Sequence, residues 1–152
     1  MPEDSLYVLS QQFEANIDVN SLAEKEGSNR VAIAYVLDEA KKLCERQGCT
    51  FAVVMDGVRQ LIYDNPDGPF DRDSGALLLN RIVSEKAEAL DIPFVDLHDV
   101  FADEYRATQE NFEYRCDAHW NKRGHAAAAA AIYEQLMGQA EPASLGGDRA
   151  QR

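Results

Sequence analysis

The feature that most restricts what this chain can fold into is an alternation. Three short apolar runs, at residues 6–12, 51–55 and 92–97, are separated by two stretches of helical periodicity. Phe51-Ala52-Val53-Val54-Met55 is continuously apolar and of strand length, the pattern of a strand buried on both faces. Leu6-Tyr7-Val8-Leu9 is rich in β-formers and runs out into Ser10-Gln11-Gln12. Between these two runs, Ile33, Val36 or Leu37, Ala40, and Leu43 or Cys44 recur every three to four residues, which predicts an amphipathic helix over 30–46. Residues 21–29 read as loop, with Ser28 or Asn29 placed to cap that helix and Gly48 to end it. A strand, a helix and a strand so close in sequence form the crossover unit of a parallel sheet. The fold class that follows is α/β.

The second half repeats the pattern. Asp73-Ser74 is placed to cap a helix over 75–90 whose apolar stripe is Leu78, Leu79, Ile82 and Val83. Ile92-Pro93-Phe94-Val95-Asp96-Leu97 reads as a third strand, with its proline near the start where a missing donor is tolerated. A short helix over 98–105 and a polar connector over 108–115 follow. The stretch 56–73, with the turn signals of Asn65-Pro66-Asp67-Gly68-Pro69, reads as a long loop. It leaves a strand end, the edge at which open α/β sheets handle ligands, so it reads either as part of a substrate site or as a plain surface excursion. From residue 139 the chain is Gly, Ala, Pro and charge without periodicity, which predicts one domain over 1–138 and a disordered tail over 139–152.

A formal net charge of −12 argues against nucleic acid and anionic membrane surfaces, whose phosphates would be repelled. No apolar run approaches the roughly 20 residues of a membrane span. The start, Met1-Pro2-Glu3-Asp4, lacks the basic residues of a signal peptide, and nothing else in the chain marks a compartment. Cys44, Cys49 and Cys116 form no metal spacing, and buried or half-buried thiols are expected.

Chemistry concentrates in Cys116-Asp117-Ala118-His119-Trp120-Asn121-Lys122-Arg123-Gly124-His125, read as a turn opening a helix that begins with six alanines. A carboxylate two residues before a histidine can accept the Nδ1–H bond, fixing the tautomer and leaving Nε2 as a base. Such a base needs a nucleophile. No serine lies in a Gly-x-Ser-x-Gly elbow or a Gly-Asp-Ser turn, and Ser74 in Asp73-Ser74-Gly75 reads as a helix cap. Cys116 adjoins the acid in the same turn and would point away from the imidazole. A metal site on Asp117, His119 and His125 is the rival reading, but the two histidines are six apart and not at the i, i+4 spacing of helical zinc ligands. His125 is expected to bond back to loop carbonyls. Asn16, just past the first run, could donate to an oxyanion or simply form a turn. Asp96-Leu97-His98 is a second D-x-H, for which a capping or surface role is expected.

Together, Asp117-Ala118-His119-Trp120-Asn121-x-x-Gly124-His125, the strand 92–97 and residues 6–20 resemble, in order, the back half of an SGNH (GDSL-type) hydrolase. The resemblance implies a three-layer α/β sandwich with a mostly parallel central sheet, flavodoxin-like in layout. It implies His119 as general base, Asp117 as its orienter and Asn16 as oxyanion donor, although Ala15 and Ile17 replace the Gly and Asp that flank that Asn in the family. Ester hydrolysis on a small acyl ester or an acylated carbohydrate would follow. The alternatives are O-acyl transfer to polysaccharide, the activity associated with D-x-H-W-N forms, and a non-catalytic binding domain. No cofactor and no metal are implied, and relatives are often exported. The family's Gly-Asp-Ser block would fall before Met1. The expectation is therefore a domain truncated at its N-terminus, inactive alone for want of the serine, with an incomplete sheet edge open to association.

Overall fold

The computed structural model describes residues 18–68, 71–115 and 117–137. The expected strand at 6–12, Asn16, Cys116 and the tail from 139 lie outside the described residues.

Helix α1 (Val19–Glu24) and helix α2 (Glu26–Gln47) occupy the stretch expected to be loop. Asp18 is the cap the sequence reading missed: its carboxylate accepts the Ser21 N–H at 3.1 Å. Ser28 and Asn29 lie inside α2, and the Ser28 hydroxyl donates to the Lys25 carbonyl at 2.8 Å. Gly48 ends α2 in the left-handed conformation, φ 68°, with its N–H turned back to the helix carbonyls. Where periodicity left a choice, Leu37 is buried while Val36 and Leu43 are exposed. Of the thiols, Cys44 is half-buried and Cys49, expected to be at least half-buried, is exposed because it lies past the helix end.

Strand β1 (Val53–Met55) pairs in parallel with strand β2 (Phe94–Asp96), Val54 opposite Val95. The crossover between them runs through helix α3 (Arg59–Asp64), which replaces part of the expected loop, a 3₁₀ turn at Gly75–Leu77 capped by Ser74, and helix α4 (Leu78–Ala89). Helix α5 (Leu97–Thr108) follows β2 directly, starting from the Asp96 cap. The connector expected at 108–115 carries strand β3 (Glu113–Tyr114), antiparallel to strand β4 (Asp117–Trp120), and helix α6 (Lys122–Met137) closes the described chain.

Alternate positions of a strand face opposite ways. Phe94, Val53 and Met55 pack on the cluster of Leu37 from α2, Val83 and Ala87 from α4, and Ile92 just before β2. Val95 belongs to the other cluster, with Ile62, Leu97, Phe101, Phe112, Ala127 and Ala128 from α3, α5, α6 and the hairpin. Helices thus lie on both sides of the parallel pair, and the fold is α/β. Val54, expected to be buried, is 37% exposed although it lies opposite the buried Val95.

Candidate active site

The D-x-H triplet lies in a strand, where a turn at a helix start was expected. Glu113 faces Trp120 and Tyr114 faces Asp117, so one step along β3 spans three along β4. Ala118 and His119 are pushed out of the ladder as a bulge, a device that re-aims side chains beside active sites. The bulge leaves the His119 N–H and the Ala118 carbonyl to be satisfied elsewhere. Asp117 Oδ1 accepts the His119 N–H at 3.0 Å and also contacts His119 Nδ1. These two interactions, the backbone one first, hold the Asp117 carboxyl below its ordinary range. With Nδ1 on the carboxylate, Nε2 is the nitrogen left for a substrate proton. The imidazole is 86% exposed.

Arg59 satisfies the other group. Its Nη2 donates to the Ala118 carbonyl at 3.0 Å and reaches Asp56 Oδ2 at 3.4 Å, while Nη1 donates to Glu113 Oε2 at 3.1 Å. Arg59 and Glu113 are both almost fully buried, which is tolerable only where a buried pair is well bonded. Glu113 also accepts from the Tyr63 hydroxyl at 2.6 Å and from Asn111 Nδ2 at 3.0 Å. Burial first, and then the Glu113 carboxylate, push the Tyr63 phenol well above its ordinary range, so it stays a donor. Asp56, at the carboxyl end of β1, takes the Trp120 Nε1–H at 3.1 Å on its other oxygen. Asn80 ties that strand end to the next, donating to the Asp56 carbonyl at 3.2 Å and to Asp96 Oδ1 at 2.9 Å.

The rest of the motif fastens the hairpin to its helix. Asn121 Oδ1 accepts from the Arg123 and Gly124 N–H groups, capping α6, and its Nδ2 donates to the Asn111 and Glu113 carbonyls. Gly124 is required by proximity: a Cβ there would stand 2.7 Å from the Phe112 carbonyl oxygen and 2.9 Å from Trp120 Cβ. Trp120 meets the edges of Phe101 and His125 at centroid distances of 5.8 and 5.6 Å. The loop-carbonyl bonds expected of His125 are made by Asn121, while His125 packs on the indole.

Among the other sequence candidates, Ser74 caps the 3₁₀ turn, its Oγ accepting from Ala76 N–H at 3.4 Å. No described serine bonds His119. Of the capping or surface role expected at 96–98, the capping one is seen: Asp96 caps the helix, while His98 is fully buried and its Nδ1 accepts the Val58 N–H at 3.2 Å. No cluster of three potential metal ligands occurs among the described residues, and none of their helices is long and apolar enough to cross a membrane. A cavity of about 210 Å³ beside Arg72, Leu77, Asn80, Arg81 and Asp96 is lined without Asp117 or His119. The stretch from residue 56 reaches the two residues that flank His119, Arg59 at the Ala118 carbonyl and Asp56 at the Trp120 indole. Neither Asp56 and Arg59 nor Glu113 and Tyr63 carry a local motif. The one hint was an arginine just beyond an apolar strand.

Comparison with protein families finds a match over residues 17–151 to a family described as "SGNH hydrolase-like domain, acetyltransferase AlgX". No curated protein and no solved structure matches.

Proposed function

Because the chain belongs to the SGNH hydrolase-like family of the acetyltransferase AlgX type, we propose that Asp117 and His119 are the acid–base pair of a serine-dependent acyl-transfer site. His119 Nε2 would take the proton of a serine hydroxyl as that oxygen attacks an acyl ester. Asp117 would hold the imidazole and stabilise the imidazolium that forms. The ester C–O bond breaks as the imidazolium returns its proton to the departing alcohol, and the acyl group left on the serine then passes to a carbohydrate hydroxyl, or to water if the site acts as an esterase. The observation that carries this reading is the bulged, exposed His119 locked to Asp117 through Nδ1. The serine that this reading requires is not one that the described residues bring to His119. Asn16 is the oxyanion donor of this reading, and a three-layer sandwich is the frame it implies.

The test is acetyl transfer from p-nitrophenyl acetate to an oligosaccharide acceptor by the purified protein. Asp117→Asn should lower kcat about 10⁴-fold by releasing the tautomer. A fluorophosphonate label should locate the serine by mass spectrometry. Turnover that survives both Asp117→Asn and His119→Ala would sink the reading. Since no described serine bonds His119, a second reading is a domain that binds an acylated carbohydrate without turning it over. Saturable binding with no label and no turnover would select it.

A further inference from the structure

The backbone beside the exposed imidazole is tied to one buried group. We infer that Arg59 is the positioning residue for His119, an inference that rests on the acyl-transfer reading for its catalytic consequence. Both neighbours of His119 are tied to the same guanidinium. Ala118 is bonded through its carbonyl at 3.0 Å, and Trp120 is held through Asp56, which bonds Arg59 by one oxygen and the indole N–H by the other. Because the bulge lifts Ala118 out of the ladder, Arg59 takes over the bond that a strand partner would have made.

The guanidinium is itself fixed. Glu113 accepts from it at 3.1 Å and is held in turn by Tyr63 and Asn111, and Tyr63 reaches back to accept the Phe112 N–H at 3.1 Å. A planar fork with several donors can serve Glu113, Asp56 and Ala118 together. An ammonium at the same place carries the charge but cannot span all three. The base is therefore mounted on an exposed bulge whose backbone is pinned by a buried ion pair, which keeps it accessible to a bulky substrate without letting it wander.

Arg59→Lys is the discriminating variant, because it keeps a cation beside Glu113 and gives up the fork. Arg59→Met combined with Glu113→Gln removes the buried charges together, in case the lysine variant does not fold. In either, kcat should fall about 10–100-fold while KM moves by no more than about twofold, since misplacement by an ångström costs on that order. The ring ¹⁵N spectrum of neutral His119 should change from one Nδ1–H tautomer to a mixture. A folded variant with unchanged kcat and an unchanged ring spectrum overturns the inference. So does a loss of rate that only tracks the folded fraction while the spectrum stays that of the parent. If the parent protein transfers no acyl group yet its ring spectrum responds to Arg59→Lys, the positioning stands and the acyl-transfer reading falls.

Discussion

The chain contains the D-x-H triplet twice, and the two copies make the same local bond and then diverge. Asp96 accepts the His98 N–H at 3.0 Å, and Asp117 accepts the His119 N–H at 3.0 Å. At 96–98 the triplet caps a helix, so the histidine enters the first turn of α5 and is buried beneath the Gly57-Val58 turn, where Nδ1 accepts a backbone N–H. At 117–119 it lies in a bulged strand, so the ring stays in solvent with Nδ1 on its own aspartate. The triplet encodes only the turn of its own backbone. Whether its histidine becomes a core acceptor or an available base is decided by the element that continues the chain.

The sharpest way to break this comparison is to remove each ring. His119→Ala should abolish acyl transfer, a loss of about 10³-fold or more, yet leave stability within about 0.5 kcal/mol because the side chain is mostly exposed. His98→Ala should do the reverse. It strands the buried Val58 N–H, costing about 1–3 kcal/mol, and should change kcat per folded molecule little. Activity assays beside urea melts read both, and a stability loss in His119→Ala larger than that in His98→Ala would undo the distinction. Arg59→Met tests the support of the second copy alone. It leaves Glu113 charged and buried, and should cost about 3–5 kcal/mol in the same melts.

A finer contrast comes from the glycines behind the two copies. A Cβ at Gly124 would meet the Phe112 carbonyl oxygen at 2.7 Å, a backbone atom that cannot move alone. A Cβ at Gly57 would meet His98 Cα at 3.0 Å and Phe101 Cδ2 at 3.1 Å, contacts that ask for a shift of tenths of an ångström. Gly124→Ala should cost about 2–3 kcal/mol and Gly57→Ala about 1 kcal/mol, the range for overpacked sites. Gly124→Ala should also reduce activity, because the clash falls on Trp120. Equal melting temperatures for the two variants would show that α6 can slide away from the hairpin freely.

What could be read from the sequence was what is local. Helix periodicity found most of α2 and α4, and the β1 and β2 runs were visible because parallel strands are continuously apolar. The first turns of α2, and all of α1, were missed because 21–29 carries no apolar stripe: no residue of α1 is buried, and α2 buries only Leu37. At the candidate site, the contact between Asp117 and His119 could be anticipated because the two lie two residues apart, whereas the partner of Trp120, Asp56, lies 64 residues away. Arg59 and Glu113 were not legible, since an ion pair 54 residues apart leaves no spacing to recognise. For the same reason the surface alternative at the second D-x-H failed while the capping one held. Nothing near His98 in sequence announces that Val58 will lie against it.

The smallest effect concerns pH. Burial comes first in holding the His98 imidazole below its ordinary value of 6.5; Asp96 and Asp99 pull the other way, and Arg72 adds to the lowering. Protonation would also turn the acceptor of the Val58 N–H into a donor facing a donor. The folded state thus resists a proton that the unfolded chain accepts near 6.5, so the unfolded state binds more protons and stability rises with pH through that window. The contribution is complete above 6.5 and is lost as pH falls from there toward the folded value. Asp117, also lowered, acts in a separate window: its contribution is present above 3.8 and disappears as pH drops below that. Melting temperatures should therefore decline from about pH 7 to about pH 5 in the parent protein. His98→Gln, which keeps an acceptor for Val58 and has nothing to titrate, should melt lower at neutral pH but with a flatter profile across that interval. A variant profile as steep as the parent's would assign the decline to another group and leave His98 as a neutral packing residue with no titration of its own in the folding equilibrium.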